Sequence, residues 1–150
     1  MTERRALILF VGGVLLVGLG IGGLTVPDGW YAALAKPSFN PPNWVFPPAW
    51  TVLYVLVGVA GWRVWRLPDK GPSLMLWSAQ LALNYLWTPV FFVLHMTGAA
   101  LAVILLLLLL ILAFVAATWM RERIAALLFL PYAAWVAFAV TLNAAIWHLN

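Results

Sequence analysis

The sequence predicts an all-α membrane protein, a single domain over residues 1–150 built as a bundle of five transmembrane helices with a long structured loop between helices 1 and 2. Of its residues, 66% are hydrophobic and only 8% are charged, whereas soluble domains carry about 25% charged residues. The mean hydropathy is +1.04. The apolar segments lack the period-two alternation that a membrane barrel requires. Helices, which satisfy their backbone groups internally, are therefore expected.

Five segments are long enough to cross the hydrocarbon core of a bilayer, for which about 20 apolar residues suffice. They are Ala6–Val26, Trp44–Val64, Pro72–Leu94, Gly98–Met120 and Ile124–Trp147. Because the connections after the second, third and fourth segments are short, successive helices are expected to be antiparallel neighbours.

The first segment follows two arginines and could be mistaken for a signal peptide. Its apolar stretch exceeds the usual core of about 7–15 residues, and no small-residue cleavage site follows, so a retained span is predicted. Gly18 and Gly22 have small-xxx-small spacing. This spacing permits close helix packing, either within one copy of the chain or between copies.

The basic residues are distributed very unevenly between the two predicted sides. One side carries Arg4, Arg5, Arg63, Arg66, Lys70, Arg121 and Arg123, and the other carries only Lys36. Since Lys and Arg concentrate in cytoplasmic loops, the N terminus is predicted to be cytoplasmic. A bacterial cell membrane is favoured, and an outer membrane remains an alternative.

The stretch from Pro27 to Asn43 is long and rich in proline and aromatic residues. Loops of this length are usually functional or disordered, and the aromatic residues argue against disorder. A folded lid over one end of the bundle is predicted, with an interfacial anchor as the alternative. The stretch includes Trp30, Lys36, Phe39, Pro41 and Pro42.

Three predicted helices each present an aromatic and partly polar face. Residues three or four positions apart share a helix face, and buried amides are costly unless they bond across helices or to a ligand. Together these faces could enclose a slot for a planar hydrophobic ligand with polar edges. Plain helix–helix contact is the alternative for the amides. The candidate residues are Trp50, Tyr54, Gln80, Asn84, Trp87, Tyr132, Trp135, Ala139 and Asn143.

Several function classes are disfavoured. The chain has no cysteine, no nucleophile–base pair and no carboxylate dyad. No acidic residue, lysine or arginine lies in a span away from its ends, which disfavours pumps and ion channels. His95 and His148 could each bind a metalloporphyrin axially, but nothing orders a second ligand opposite. No metal site, required cofactor or nucleic-acid partner is predicted.

The runs WYAALAKPSFNPPNWVFPPAWTVLY, AQLALNYLWTPVFF and LPYAAWVAFAVTLNAAIWHLN closely resemble the TspO/MBR family. This family comprises the tryptophan-rich sensory proteins of bacteria and their relative, the mitochondrial translocator protein or peripheral benzodiazepine receptor. The resemblance covers essentially the whole chain. It implies a five-helix, usually homodimeric protein whose cavity beneath the first loop binds porphyrins such as protoporphyrin IX and haem. It adds Leu142 to the expected ligand contacts and implies that Trp30, Lys36, Pro41 and Pro42 lie in the lid.

The chain departs from the family pattern at two places. Phe39 stands where the lid motif usually has tryptophan, so stacking survives but the indole donor is lost. The stretch LNAAIWHLN has Ala144 and His148 where the animal proteins have the tyrosine and basic residue of a sterol-recognition pattern. Specific sterol binding is therefore not expected, and such short patterns are weak evidence.

Three functions stay open at this point. The first is a membrane receptor or carrier for porphyrins or similar planar molecules. The second is a light-dependent porphyrin-degrading enzyme, for which the resemblance implies roles for Trp50 and Trp135. The third is a structural or regulatory membrane partner whose cavity is only packing.

Overall fold

The computed structural model describes residues 1–150 and contains helices but no strand. The all-α prediction is therefore confirmed. The helices, in chain order, are α1 (Glu3–Leu24), α2 (Gly29–Ala33), α3 (Phe46–Trp65), α4 (Ser73–Phe92), α5 (Thr97–Thr118) and α6 (Arg123–Leu149).

Four helical segments are long and apolar enough to cross a membrane. They are Glu3–Leu24, Asn43–Trp65, Thr97–Thr118 and Arg123–Leu149. The five predicted segments all form helices, and their ends differ from the predicted ones by one to three residues. The remaining long helix, α4, has 20 residues but a less apolar sequence, so its crossing of the membrane stays a prediction.

The five long helices form a ring around the bundle in the order α1, α3, α6, α5 and α4. Contacts are extensive between α1 and α3, α3 and α6, α6 and α5, and α5 and α4, whereas α4 meets α1 only loosely. The main core contains Val57, Ile111 and Val136 with almost no exposure. Phe114 and Phe129 stack across α5 and α6 with ring centroids 4.1 Å apart. This core fills the half of the bundle that is nearer the α3–α4 and α5–α6 connections.

Three ion pairs join the connecting segments at that end of the bundle. Arg63 pairs with Glu122 at 2.8 Å, Arg66 with Glu3 at 3.0 Å, and Arg121 with Asp69 at 2.9 Å. These pairs bring together three segments that the sequence assigns to one side: the start of α1, the α3–α4 connection and the α5–α6 turn. The Gly71 N–H and then the Arg121 guanidinium hold the pKa of Asp69 below its usual range.

The α1–α3 loop, residues 25–42, is folded against the opposite end. Asp28 Oδ1 accepts hydrogen bonds from the backbone N–H of Trp30 (3.0 Å) and Tyr31 (3.4 Å), which caps the short helix α2. The Tyr31 ring is buried and packs edge-on against Phe92 of α4 with centroids 5.3 Å apart. The loop is therefore held in place by buried aromatic contacts, as the prediction of an ordered loop requires.

Candidate ligand-binding cavity

A cavity of about 410 Å³ lies in the half of the bundle next to the α1–α3 loop. We call it the main cavity. It lies where α1 and α4 approach each other only loosely, and α3 and α6 form its far wall. It is lined by Gly18, Leu19, Gly22, Gly23, Thr25, Val26, Phe46, Pro47, Trp50, Tyr54, Trp87, Thr88, Phe92, Trp135 and Ala139.

Three tryptophans from three helices form the aromatic part of this wall. Trp50 of α3 and Trp135 of α6 meet edge to face, with centroids 6.4 Å apart and an interplanar angle of 88°. Trp87 of α4 contributes a third ring. The buried indole N–H of Trp135 has no hydrogen-bond acceptor within the protein. Because buried donors are normally paired, this unpaired N–H is an exception within the bundle.

A directional chain of hydrogen bonds lies beneath Tyr54 at the floor of the main cavity. The Tyr54 hydroxyl donates to Asn84 Oδ1 (3.2 Å), and Asn84 Nδ2 donates to the Tyr132 hydroxyl (2.7 Å). That hydroxyl donates to Gln80 Oε1 (2.8 Å), and Gln80 Nε2 donates to the backbone oxygen of Trp77 (2.8 Å). The polar groups buried at this depth thus satisfy one another across α3, α4 and α6.

Eight of the ten predicted ligand contacts fall into two groups. Trp50, Tyr54, Trp87, Trp135 and Ala139 line the main cavity. Gln80, Asn84 and Tyr132 lie below it, and the structure brings them together as the support of the Tyr54 ring. A direct contact between these three residues and a ligand stays a prediction.

A second cavity of about 40 Å³ lies between the α1–α3 loop and α6, and we call it the small cavity. Leu142 and Asn143 line it, together with Trp87 and Ala139 of the main cavity. Asn143 Oδ1 accepts from Trp87 Nε1 (3.0 Å), and Asn143 Nδ2 donates to the Thr97 carbonyl (2.9 Å). Asn143 therefore joins α4, α5 and α6 and orients the Trp87 ring.

The predicted lid residues hold the loop itself rather than lining either cavity. Trp30 stacks on His95 of the α4–α5 turn, with centroids 3.9 Å apart and an interplanar angle of 13°. Lys36 Nζ donates to the Tyr31 carbonyl (2.6 Å) and lies 4.5 Å from the Tyr31 ring centroid. The Phe39 ring lies against the Phe138 ring of α6, with centroids 6.3 Å apart.

Backbone and side-chain hydrogen bonds complete the attachment of the loop. The Pro41 carbonyl accepts from Asn40 Nδ2 (3.3 Å), and the Pro42 carbonyl accepts from the Val45 N–H (3.0 Å). The Asn150 carboxamide pairs with Ala35, donating to its carbonyl (2.9 Å) and accepting from its N–H (3.0 Å). This last pair ties the loop to the end of α6.

Two parts of the site are missing from the sequence-based candidates. The last two turns of α1, with Gly18, Gly22 and Gly23, form one side of the main cavity, although their glycines suggest only helix packing. Asn40 lines the small cavity beside Tyr31. Its position between a phenylalanine and two prolines indicates only a turn. No pattern in the sequence marks it as a cavity residue.

Fold and cavity together define a helical membrane protein with a tryptophan-lined cavity at one end of its bundle. The chain belongs to the TspO/MBR family, whose model matches residues 8–148. The resemblance read from the three sequence runs is thereby confirmed.

Individual relatives are similar in sequence to this chain over most of their length. A tryptophan-rich sensory protein of Cereibacter sphaeroides is 45% identical, covering 86% of this chain and 82% of the relative. Protein CrtK of Rhodobacter capsulatus is 40% identical, covering 86% and 83%. The translocator protein of Homo sapiens is 38% identical, covering 99% and 87%.

Proposed function

We propose that this protein is a membrane receptor or carrier that binds porphyrins, such as protoporphyrin IX or haem-type tetrapyrroles, in the main cavity. The observation that carries the proposal is the cavity itself, about 410 Å³ in volume with tryptophans from three helices in its wall. That volume falls in the range of small-molecule sites. Flat indole rings favour a flat hydrophobic ligand, and the free Trp135 N–H suits an acceptor at the edge of that ligand.

The names of the relatives support a role in transport or regulation. They include a sensory protein and a translocator protein. A lined cavity under an ordered loop can serve either role, because both begin with reversible binding of the ligand. We propose tetrapyrrole transport or regulation for this chain, with a homodimer in membrane lipid as its working form.

The same proposal includes five membrane spans, with α4 as the third. The 20 residues of α4 extend about 30 Å at 1.5 Å per residue. The polar side chains that lower its hydropathy include Gln80 and Asn84, and both are buried within the bundle. Ser78 is exposed, but its hydroxyl donates to the Leu74 carbonyl (2.9 Å) within the helix, so lipid would contact a largely apolar surface. Basic residues at the ion-paired end favour a cytoplasmic N terminus, in a bacterial cell membrane.

Filling the main cavity from α6 tests the proposal. Ala139→Leu adds three carbons to a residue that lines both cavities, so protoporphyrin IX should lose at least tenfold in affinity. The measurement is quenching of tryptophan fluorescence in a titration of the purified protein. Ala137→Leu is the matched control, since Ala137 is exposed on the same helix. Wild-type affinity in Ala139→Leu would refute the assignment of the site, and absence of any quenching would refute porphyrin binding.

A second candidate function is light-driven, oxygen-dependent breakdown of the bound porphyrin. The edge-to-face contact of Trp50 and Trp135 in the cavity wall favours it, because an indole beside an excited macrocycle can donate an electron. Under illumination in air, the wild-type protein should bleach protoporphyrin IX faster than it bleaches in detergent alone. Trp50→Phe should keep binding and lose this acceleration. Equal bleaching with and without the protein would exclude this function.

A further inference from the structure

The small cavity contains one buried hydrogen-bonding atom without a partner. Asn40 Oδ1 is buried and accepts no hydrogen bond within the protein. Asn40 Nδ2 donates to the Pro41 carbonyl at 3.3 Å, so only the oxygen of the amide lacks a hydrogen bond. Unpaired carbonyl groups in protein interiors are uncommon and costly. This atom therefore calls for a donor that the chain itself does not supply.

None of the other polar groups around the small cavity donates a hydrogen bond to Asn40 Oδ1 in the structure. Asn143 uses its oxygen for Trp87 and its nitrogen for Thr97. The Tyr31 phenol lies beside the Asn40 amide, and burial raises the pKa of Tyr31 although the contact with Asn40 opposes this rise. Tyr31 therefore keeps its proton at physiological pH, but its O–H donates no hydrogen bond to Asn40 Oδ1 in the structure. No charged side chain lines the cavity, so a neutral donor suits it better than an ion.

The small cavity adjoins the main cavity, because Phe46, Trp87 and Ala139 border both. Its volume of about 40 Å³ is slightly more than the ~30 Å³ share of one water molecule. It can therefore hold a substituent of one or a few heavy atoms on a ligand whose main part lies in the main cavity.

We propose that the small cavity is a polar subsite for a neutral N–H or O–H donor at the edge of the ligand, with Asn40 Oδ1 as its acceptor. Asn40 is then a specificity-determining residue, and planar ligands that carry such a donor are preferred over otherwise similar ones that lack it. The inference rests on the proposed function, since it assumes that the body of the ligand occupies the main cavity.

Two uncharged porphyrins test the subsite. Protoporphyrin IX diamide carries N–H donors at its edge, whereas protoporphyrin IX dimethyl ester has none there. The quantity measured is the ratio of their dissociation constants, ester over diamide, from fluorescence titrations. This ratio should fall about three- to tenfold from the wild type to Asn40→Leu, the size expected for one hydrogen bond. Affinity for the ester should change little, which also shows that the variant is folded.

Asn43→Leu is the matched control, because Asn43 is an exposed asparagine at the other end of the same proline pair, and it should keep the wild-type ratio. Asn40→Ala is a second variant, in which the new side chain is smaller than asparagine and cannot clash with its surroundings. It should lower the ratio as Asn40→Leu does, even if leucine does not fit at this position. An unchanged ratio in both Asn40 variants, with both porphyrins bound, overturns the subsite alone. Failure of the wild type to bind either porphyrin overturns the proposed function and the subsite together.

Discussion

At the scale of single residues, the contact between α1 and α3 depends on a position without a side chain. A Cβ atom at Gly58 would lie 2.7 Å from Val11 Cα and 3.1 Å from the Phe10 carbonyl oxygen. Both neighbours are backbone atoms, so they cannot turn aside as a flexible side chain could. Gly58→Ala should force α1 and α3 apart and lower the free energy of unfolding by about 1–3 kcal/mol. Thermal unfolding in detergent micelles, followed by circular dichroism, measures this loss.

The control for this substitution is Gly12→Ala on α1. A Cβ atom at Gly12 meets nothing within 4 Å, so the only local effect is the better helix propensity of alanine, worth about 0.5–1 kcal/mol. The melting temperature of this variant should equal or slightly exceed that of the wild type. If Gly58→Ala and Gly12→Ala melted at the same temperature, the close helix contact would not be a stabilising feature.

Single residues also show where sequence reasoning stopped. Helical spacing placed Gln80 and Asn84 on one face, but spacing alone cannot say what that face meets. The structure gives Asn84 a partner on α3 and another on α6, Tyr54 and Tyr132. Gly18 packs within the chain, since a Cβ atom there would overlap the Tyr54 ring.

At the scale of elements, the long helices were predictable because bilayer thickness fixes their length. The short helix α2 was not, because its five residues are too few for a periodic pattern. Its position depends on the Asp28 cap and on burial of Tyr31 against α4. The role of α1 in the cavity wall was missed for a similar reason: which helices adjoin each other around a bundle is set by long-range packing.

At the scale of the whole molecule, the main core and the main cavity lie in opposite halves of the bundle. Ion pairs and the buried core occupy the half that carries most of the basic residues. The main cavity and the folded loop occupy the other half, together with a smaller core of Tyr31, Phe91, Ala100 and Ile146. The basic residues and the main cavity thus lie at opposite ends of the bundle. A cytoplasmic N terminus would therefore direct the cavity away from the cytoplasm. The two ends lie on opposite sides of the membrane only if α4 crosses it, so the number of spans must be measured.

Labelling of single cysteines can count the spans, since the chain has no cysteine of its own. Ser38 in the α1–α3 loop is exposed, and Met120 in the α5–α6 turn is 87% exposed. With five spans and a cytoplasmic N terminus, a membrane-impermeant maleimide added to intact cells should label Ser38→Cys but not Met120→Cys. A permeant maleimide should label both. If α4 instead stayed on the cytoplasmic surface, the α5–α6 turn would lie outside and both variants would be labelled by the impermeant reagent. Labelling of Met120→Cys alone would keep the five spans and reverse the orientation, turning the cavity towards the cytoplasm.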